Sequence, residues 1–137
     1  MTTVITFGTF DLFHIGHLNI LNRASGLGER LVVGVSSDRL NAHKKGRLPL
    51  YSQTERMRII QSLKCVDTVF LEASLALKAD YIKRYRADIL VMGSDWQGRF
   101  DHLSSLCQVV YFPRTPSVST TALIETIAGQ HTLSGNG

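Results

Sequence analysis

The chain has 137 residues, 44% of them hydrophobic and 19% charged, with a formal net charge of +4. That is enough chain for one domain with a substantial core, and the composition is that of a globular protein rather than a disordered or fibrous one. The small charge imposes no nucleic-acid partner, no apolar run reaches the length of a membrane span, and Cys65 and Cys107 form no CxxC pair, which argues against thiolate metal ligation.

The chain opens directly on strand-like sequence, without the basic and apolar regions of a signal peptide, so a cytoplasmic protein is expected. Residues 3–7 are apolar and β-branched and predict a first strand. Gly8-Thr9-Phe10-Asp11 and His14-Ile15-Gly16-His17 follow, leading into a helix over residues 17–27 with Gly28 at its end. N–H groups at a helix start attract anions, glycine admits a phosphate closely, and histidines three apart can converge on one ligand. The turn therefore reads as a polyphosphate site. Beside a triphosphate the imidazole pKa should rise, which favours cationic histidines. A zinc site is the competing reading, but no nearby His, Cys or Glu completes its ligand set.

Residues 31–35 (LVVGV) read as a strand covered on both faces. Residues 36–50 are polar and basic, interrupted by Gly46 and Pro49, and read as a mobile loop carrying Lys44, Lys45 and Arg47. Ser52-Gln53-Thr54-Glu55 matches a capping box and opens a helix running through Leu63. A short strand over 68–71, a weakly patterned helix over 75–85 that includes Lys78, and a strand over 89–92 come next. The last of these ends at Gly93-Ser94-Asp95-Trp96. Residues 103–107 allow a short helix, 109–112 form a fifth strand, and Ser119 caps a final helix. Residues 129–137 are polar and glycine-rich and read as a flexible C-terminal tail. The alternation predicts a single α/β domain over residues 1–128, a five-stranded parallel sheet with helices on both faces. Every polar cluster follows a strand, so all of them should meet at one edge of the sheet.

The run from Gly8 to His17 resembles the signature of the HxGH nucleotidyltransferases. Arg114-Thr115-Pro116-Ser117-Val118-Ser119-Thr120-Thr121 resembles their second motif, RTxGISTT in the cytidylyltransferase branch. Met92-Gly93-Ser94-Asp95-Trp96-Gln97-Gly98-Arg99-Phe100-Asp101 resembles the MGDDWxGKFD run of glycerol-3-phosphate cytidylyltransferases. The resemblance spans nearly the whole chain and implies a Rossmann-like fold. It further implies transfer of a cytidylyl group from CTP to a small alcohol phosphate such as glycerol 3-phosphate. The products would be a CDP-alcohol and pyrophosphate, formed by direct in-line attack, with Mg2+ bound to the triphosphate and no metal site of the protein's own. A homodimer is implied as well.

Carried over by position, the resemblance gives His14 and His17 the triphosphate and the charge at the transferring phosphorus. Thr9 and Phe10 would line the CTP pocket with Gly16, Asp95 and Trp96. Lys44 would contact the incoming phosphate and Lys78 would lie near it. Arg114, Thr115, Ser119, Thr120 and Thr121 would hold the nucleotide and its β- and γ-phosphates. Asp11 would approach the Mg2+–triphosphate complex, and Arg56 and Asp67 match further polar positions. There are departures from the pattern. Gly46 stands where the branch has a phosphate-binding lysine, flanked by Lys45 and Arg47. Lys64 stands where it has arginine, Pro116-Ser117 where it has an acidic-glycine pair, and Ser94 where it has aspartate. Within the class the alternative is adenylyl transfer to a pantetheine- or flavin-type acceptor; outside it, a catalytically silent nucleotide-binding module. Neither a P-loop nor GxGxxG is present, which removes the main support for kinase or dinucleotide readings.

Overall fold

Parallel strands need a crossover between each pair, and the spacing of the apolar runs leaves room for one each time. The computed structural model describes residues 1–115 and 119–136, with side chains through residue 129. Its strands are β1 (Thr3–Gly8), β2 (Arg30–Ser36), β3 (Thr68–Glu72), β4 (Ile89–Gly93) and β5 (Gln108–Phe112). All pairings are parallel, in the order β3-β2-β1-β4-β5. The helices are α1 (Ile15–Ser25), α2 (Asp38–Lys45), α3 (Gln53–Gln61), α4 (Lys78–Tyr85) and α5 (Thr120–Asn136).

Alternate strand residues feed opposite faces, which gives two cores. Val4, Leu31, Val33, Val35 and Val91 pack under α1 and α3 through Leu21, Ala24 and Ile60. Ile5, Phe7, Val32, Leu90 and Met92 pack under α4 through Tyr81 and Ile82. The five-stranded parallel sheet with helices on both faces is thus as the sequence predicts.

The largest departure lies in residues 36–50. Much of the expected mobile loop is α2, capped by the Ser37 hydroxyl, which accepts from the Leu40 N–H, and ended by Gly46 in the left-handed region at φ 72°. The helix buries only Leu40 and Asn41, so it has no apolar stripe for a sequence reading to find. His43, Lys44 and Lys45 occupy its last turn, where the helix dipole favours cations. Residues 75–77 form a 3-10 turn ahead of α4, and the short helix expected at 103–107 is a 3-10 turn at Asp101–Ser105. The backbone of α5 is helical past residue 129, through Asn136.

Candidate active site

The strand order turns back between β1 and β4, and at such a point the carboxyl ends of the strands leave a crevice. The β1–α1 turn fills one side of it. Phe10 and Leu12 both hold left-handed backbone, at φ 55° and 49°, a strained arrangement for side-chain-bearing residues that concentrates at functional sites. A Cβ at Gly8 would come within 2.8 Å of the Phe10 ring, so glycine there lets the ring fold back over the strand end.

The two histidines cap α1. The Gly16 N–H donates to His14 Nδ1 at 3.0 Å, and the His14 N–H donates to His17 Nδ1 at 3.2 Å. Their rings stack at 3.8 Å between centroids, and Phe10 meets the His17 ring edge-on at 5.4 Å. Because each Nδ1 accepts, a neutral ring carries its proton on Nε2 and keeps one N–H to donate. Burial, then the neighbouring His14 and Lys45, lower the His17 pKa to about 3, with Asp11 opposing. Burial and Arg114 lower that of His14 as well. The protein's own groups therefore favour neutral rings, each with one N–H to donate.

The start of α5 arrives at the same place from the other end of the chain. The Thr120 hydroxyl donates to the Asp11 carbonyl at 2.8 Å, and the Ser119 hydroxyl caps the helix by accepting from the Ala122 N–H at 3.0 Å. His14, Gly16, His17, Arg114, Ser119 and Thr120 line one cavity of about 630 Å³. A second, of about 440 Å³, is lined by Thr9, Phe10, Asp11, Lys44, Lys78 and Trp96 among others. His17, Ile20, Lys45, Thr120 and Thr121 line both, so the cavities meet at His17 and the start of α5. Both lie in the size range of ligand sites.

In the second cavity Lys44 sits 6.0 Å from the Trp96 ring centroid. Its pKa falls to about 8 through burial and the charge of Lys45, with Glu72 opposing. Lys45 Nζ reaches Thr9 Oγ1 at 3.5 Å. Gly46, where the resembling family has lysine, serves as the left-handed cap of α2, and Lys45 and Arg47 both line the cavity beside it. Arg114 pairs with Asp95, its Nε donating at 2.8 Å, and Thr115 accepts from the Asn19 side chain at 3.0 Å. Residues 116–118 lie outside the described residues.

Three predicted site residues do other work. Asp67 stands at the opposite edge of the sheet, just before β3, where it accepts the Leu31 N–H at 2.7 Å; it is not brought to the crevice. Arg56 is fully buried and lines neither cavity. Its guanidinium donates to the carbonyls of Tyr51, Thr9 and Ser36 and to the Asp38 carboxylate, which ties α2 and α3 to the ends of β1 and β2. Asp11 lines the second cavity, but its two oxygens accept the Leu50 and Tyr51 N–H groups at 2.7 and 2.9 Å. Two buried residues of that cavity went unread in the sequence. Asn41 accepts from the Thr9 hydroxyl and donates to Ser36 and Ser37, and Glu72 pairs with Lys78. The first was hidden by the missed helix α2. The second was visible only as the residue that ends β3 at the functional edge.

A parallel sheet whose crevice joins an imidazole-capped helix start to a hydroxyl-bearing one defines an α/β protein of the nucleotidyltransferase class. The profile of the Cytidylyltransferase-like family matches residues 5–129, and the chain belongs to that family. It is 44% identical over 129 residues to the glycerol-3-phosphate cytidylyltransferase of Bacillus subtilis, covering 94% of this chain and 99% of that one. It is 39% identical over 132 residues to the enzyme of the same name from Staphylococcus aureus, covering 95% and 98%. Among solved structures it resembles the lipopolysaccharide core biosynthesis protein of Thermoplasma volcanium, with a TM-score of 0.71 and 26% identity over 84% of this chain and 98% of that one.

Proposed function

We propose that the protein transfers a cytidylyl group from CTP to glycerol 3-phosphate, giving CDP-glycerol and pyrophosphate. The observation that carries this reading is the meeting of two cavities at His17. One is lined by the imidazole pair and the start of α5, which suits a triphosphate; the other holds the cations Lys44, Lys45, Arg47 and Lys78, which suits a phosphorylated acceptor. Full-length similarity to two glycerol-3-phosphate cytidylyltransferases supports the choice of substrates.

The acceptor phosphate, largely ionised near neutral pH, needs no strong base. Its oxygen bonds to the α-phosphorus as the bond to the bridging oxygen breaks, and the electron pair leaves with pyrophosphate. Work of this kind is mostly positioning and charge stabilisation. Lys44 orients the attacking phosphate. His14 and His17 donate Nε2–H to the oxygens on which charge builds. The Ser119, Thr120 and Thr121 hydroxyls and the N–H groups opening α5 hold the departing phosphates, with Arg114 beside them. Among the described residues no three His, Cys, Asp or Glu side chains gather about a metal. Mg2+ would enter on the triphosphate, and Asp11, a carboxylate lining the second cavity, would be the residue of this chain that approaches it. So bound, the ion neutralises polyphosphate charge.

Among the described residues no helix is long and apolar enough to cross a membrane. A cytoplasmic enzyme fits substrates of this kind, and the homodimer that the family resemblance implies is checked by sedimentation. The activity is tested by incubating the protein with Mg2+, each nucleoside triphosphate and a panel of phosphorylated alcohols while following pyrophosphate. Release with CTP and glycerol 3-phosphate supports the reading. Release only with ATP, or nucleotide binding with no release under any pairing, overturns it.

A further inference from the structure

The floor of the Lys44 cavity contains a carboxylate that a site for phosphates alone has no reason to hold. Glu72 ends β3, in register with Ser36 of β2, at the functional edge of the sheet. Its side chain is 2% exposed and that of its partner Lys78 is 3% exposed. Lys78 Nζ donates to Glu72 Oε2 and otherwise rests on aromatic faces, 4.3 Å from the Phe7 centroid and 5.1 Å from that of Phe100. Two other carboxylates line this cavity, and both are engaged: Asp11 by two backbone N–H groups, Asp95 by Arg114. Glu72 differs, because among the described residues its Oε1 accepts no hydrogen bond.

A buried ion pair is seldom retained for stability, since apolar groups of the same volume do as well or better. A carboxylate oxygen also repels the phosphate that the surrounding lysines attract. It suits the opposite end of an acceptor, where the groups are hydroxyl donors. We propose that Glu72 sets acceptor specificity by accepting a hydrogen bond from a free hydroxyl of the alcohol phosphate, while Lys44 takes the phosphate. Lys78, which donates to its Oε2, fixes the Glu72 carboxylate in place. This rests on the function proposed above and adds what that reading leaves open, namely which group tells a polyol phosphate from a plain alkyl phosphate.

The test is kcat/KM, with CTP saturating, for glycerol 3-phosphate against two acceptors that each lack one hydroxyl, 3-hydroxypropyl phosphate and 2-hydroxypropyl phosphate. The wild-type protein is expected to prefer glycerol 3-phosphate over at least one of them by roughly 10- to 100-fold, the value of a hydrogen bond to a charged group. That preference should fall toward unity in Glu72→Gln. It should fall likewise in Glu72→Leu/Lys78→Met, a variant that removes the pair without stranding a buried charge. The ratio between acceptors is the telling quantity, because merely structural damage slows all three together. Equal use of the three acceptors by the wild type overturns the inference, and so does an unchanged preference in either folded variant. If the wild-type protein releases no pyrophosphate with any of the three, the proposed function itself has failed, and this inference with it.

Discussion

Arg56→Met removes the guanidinium that joins four parts of the site. Four hydrogen bonds end on it, to Tyr51 O at 3.0 Å, Thr9 O at 2.9 Å, Ser36 O at 2.8 Å and Asp38 Oδ1 at 2.7 Å. The arginine is 0% exposed and the Asp38 side chain 33%, so the substitution takes a donor from three carbonyls, of which Ser36 O keeps one from the Asn41 amide, and leaves a carboxylate only partly hydrated. Methionine replaces much of the packing, but none of the donors. Leaving a buried acceptor unpaired costs about 1–3 kcal/mol, so roughly 3–5 kcal/mol for the carbonyls here, and for a domain of this size each kcal/mol lowers Tm by roughly 3–6 °C. Calorimetry should therefore find Arg56→Met melting roughly 10–25 °C below wild type. Arg58→Met, on the exposed side of the same helix, should change stability by no more than about 0.5 kcal/mol. Because Thr9 and Tyr51 border the binding turn and loop, KM for the acceptor should rise in any of the variant that remains folded. A melting point within about 3 °C of wild type would refute the claim that this residue is a structural staple.

Three further outcomes follow from the histidines and Lys44. His14→Ala and His17→Ala should each lower turnover by roughly two to four orders of magnitude, as expected for loss of a preorganised donor; near wild-type turnover in both, by pyrophosphate release, would remove them from the mechanism. Lys44 has its pKa lowered to about 8, so its charge, and with it kcat/KM for the acceptor, should decline as pH rises through that value. Lys44→Arg should carry this alkaline limb beyond the measurable range, and an unchanged limb would show that another group titrates. His17, with its pKa lowered to about 3, is kept neutral by the fold while the unfolded chain takes up a proton near pH 6.5. Its contribution is then complete above about pH 6.5 and is lost as pH falls toward 3, with a slope of about 1.4 kcal/mol per pH unit. Denaturant titrations from pH 7 to 4 should show a shallower loss in His17→Asn than in wild type, and parallel losses would contradict this account of His17.

The sheet was legible because its strands are apolar runs separated by helical patterns, and parallel strands bring every following turn to one edge. That is why Gly8 to His17 and Ser119 to Thr121 read as one site although residues 18–118 lie between them. Helix α2 was not legible, since it is held by caps and by the buried Asn41 rather than by an apolar stripe. Asp67 and Arg56 show the opposite limit. A polar residue in a motif-like position carries no mark of whether it faces a ligand or a carbonyl; Asp67 fixes the far end of β2, and Arg56 spends its donors on backbone. Glu72 stayed unread for the same reason, because only the fold puts it under Lys44.

The most direct test of the account is a crystal structure of the protein with a non-hydrolysable CTP analogue and Mg2+. It should place the triphosphate between the His14 and His17 Nε2 atoms and the Ser119–Thr121 hydroxyls, with the α-phosphorus turned toward Lys44. A nucleotide whose phosphates touch neither the imidazole pair nor the start of α5 would contradict it.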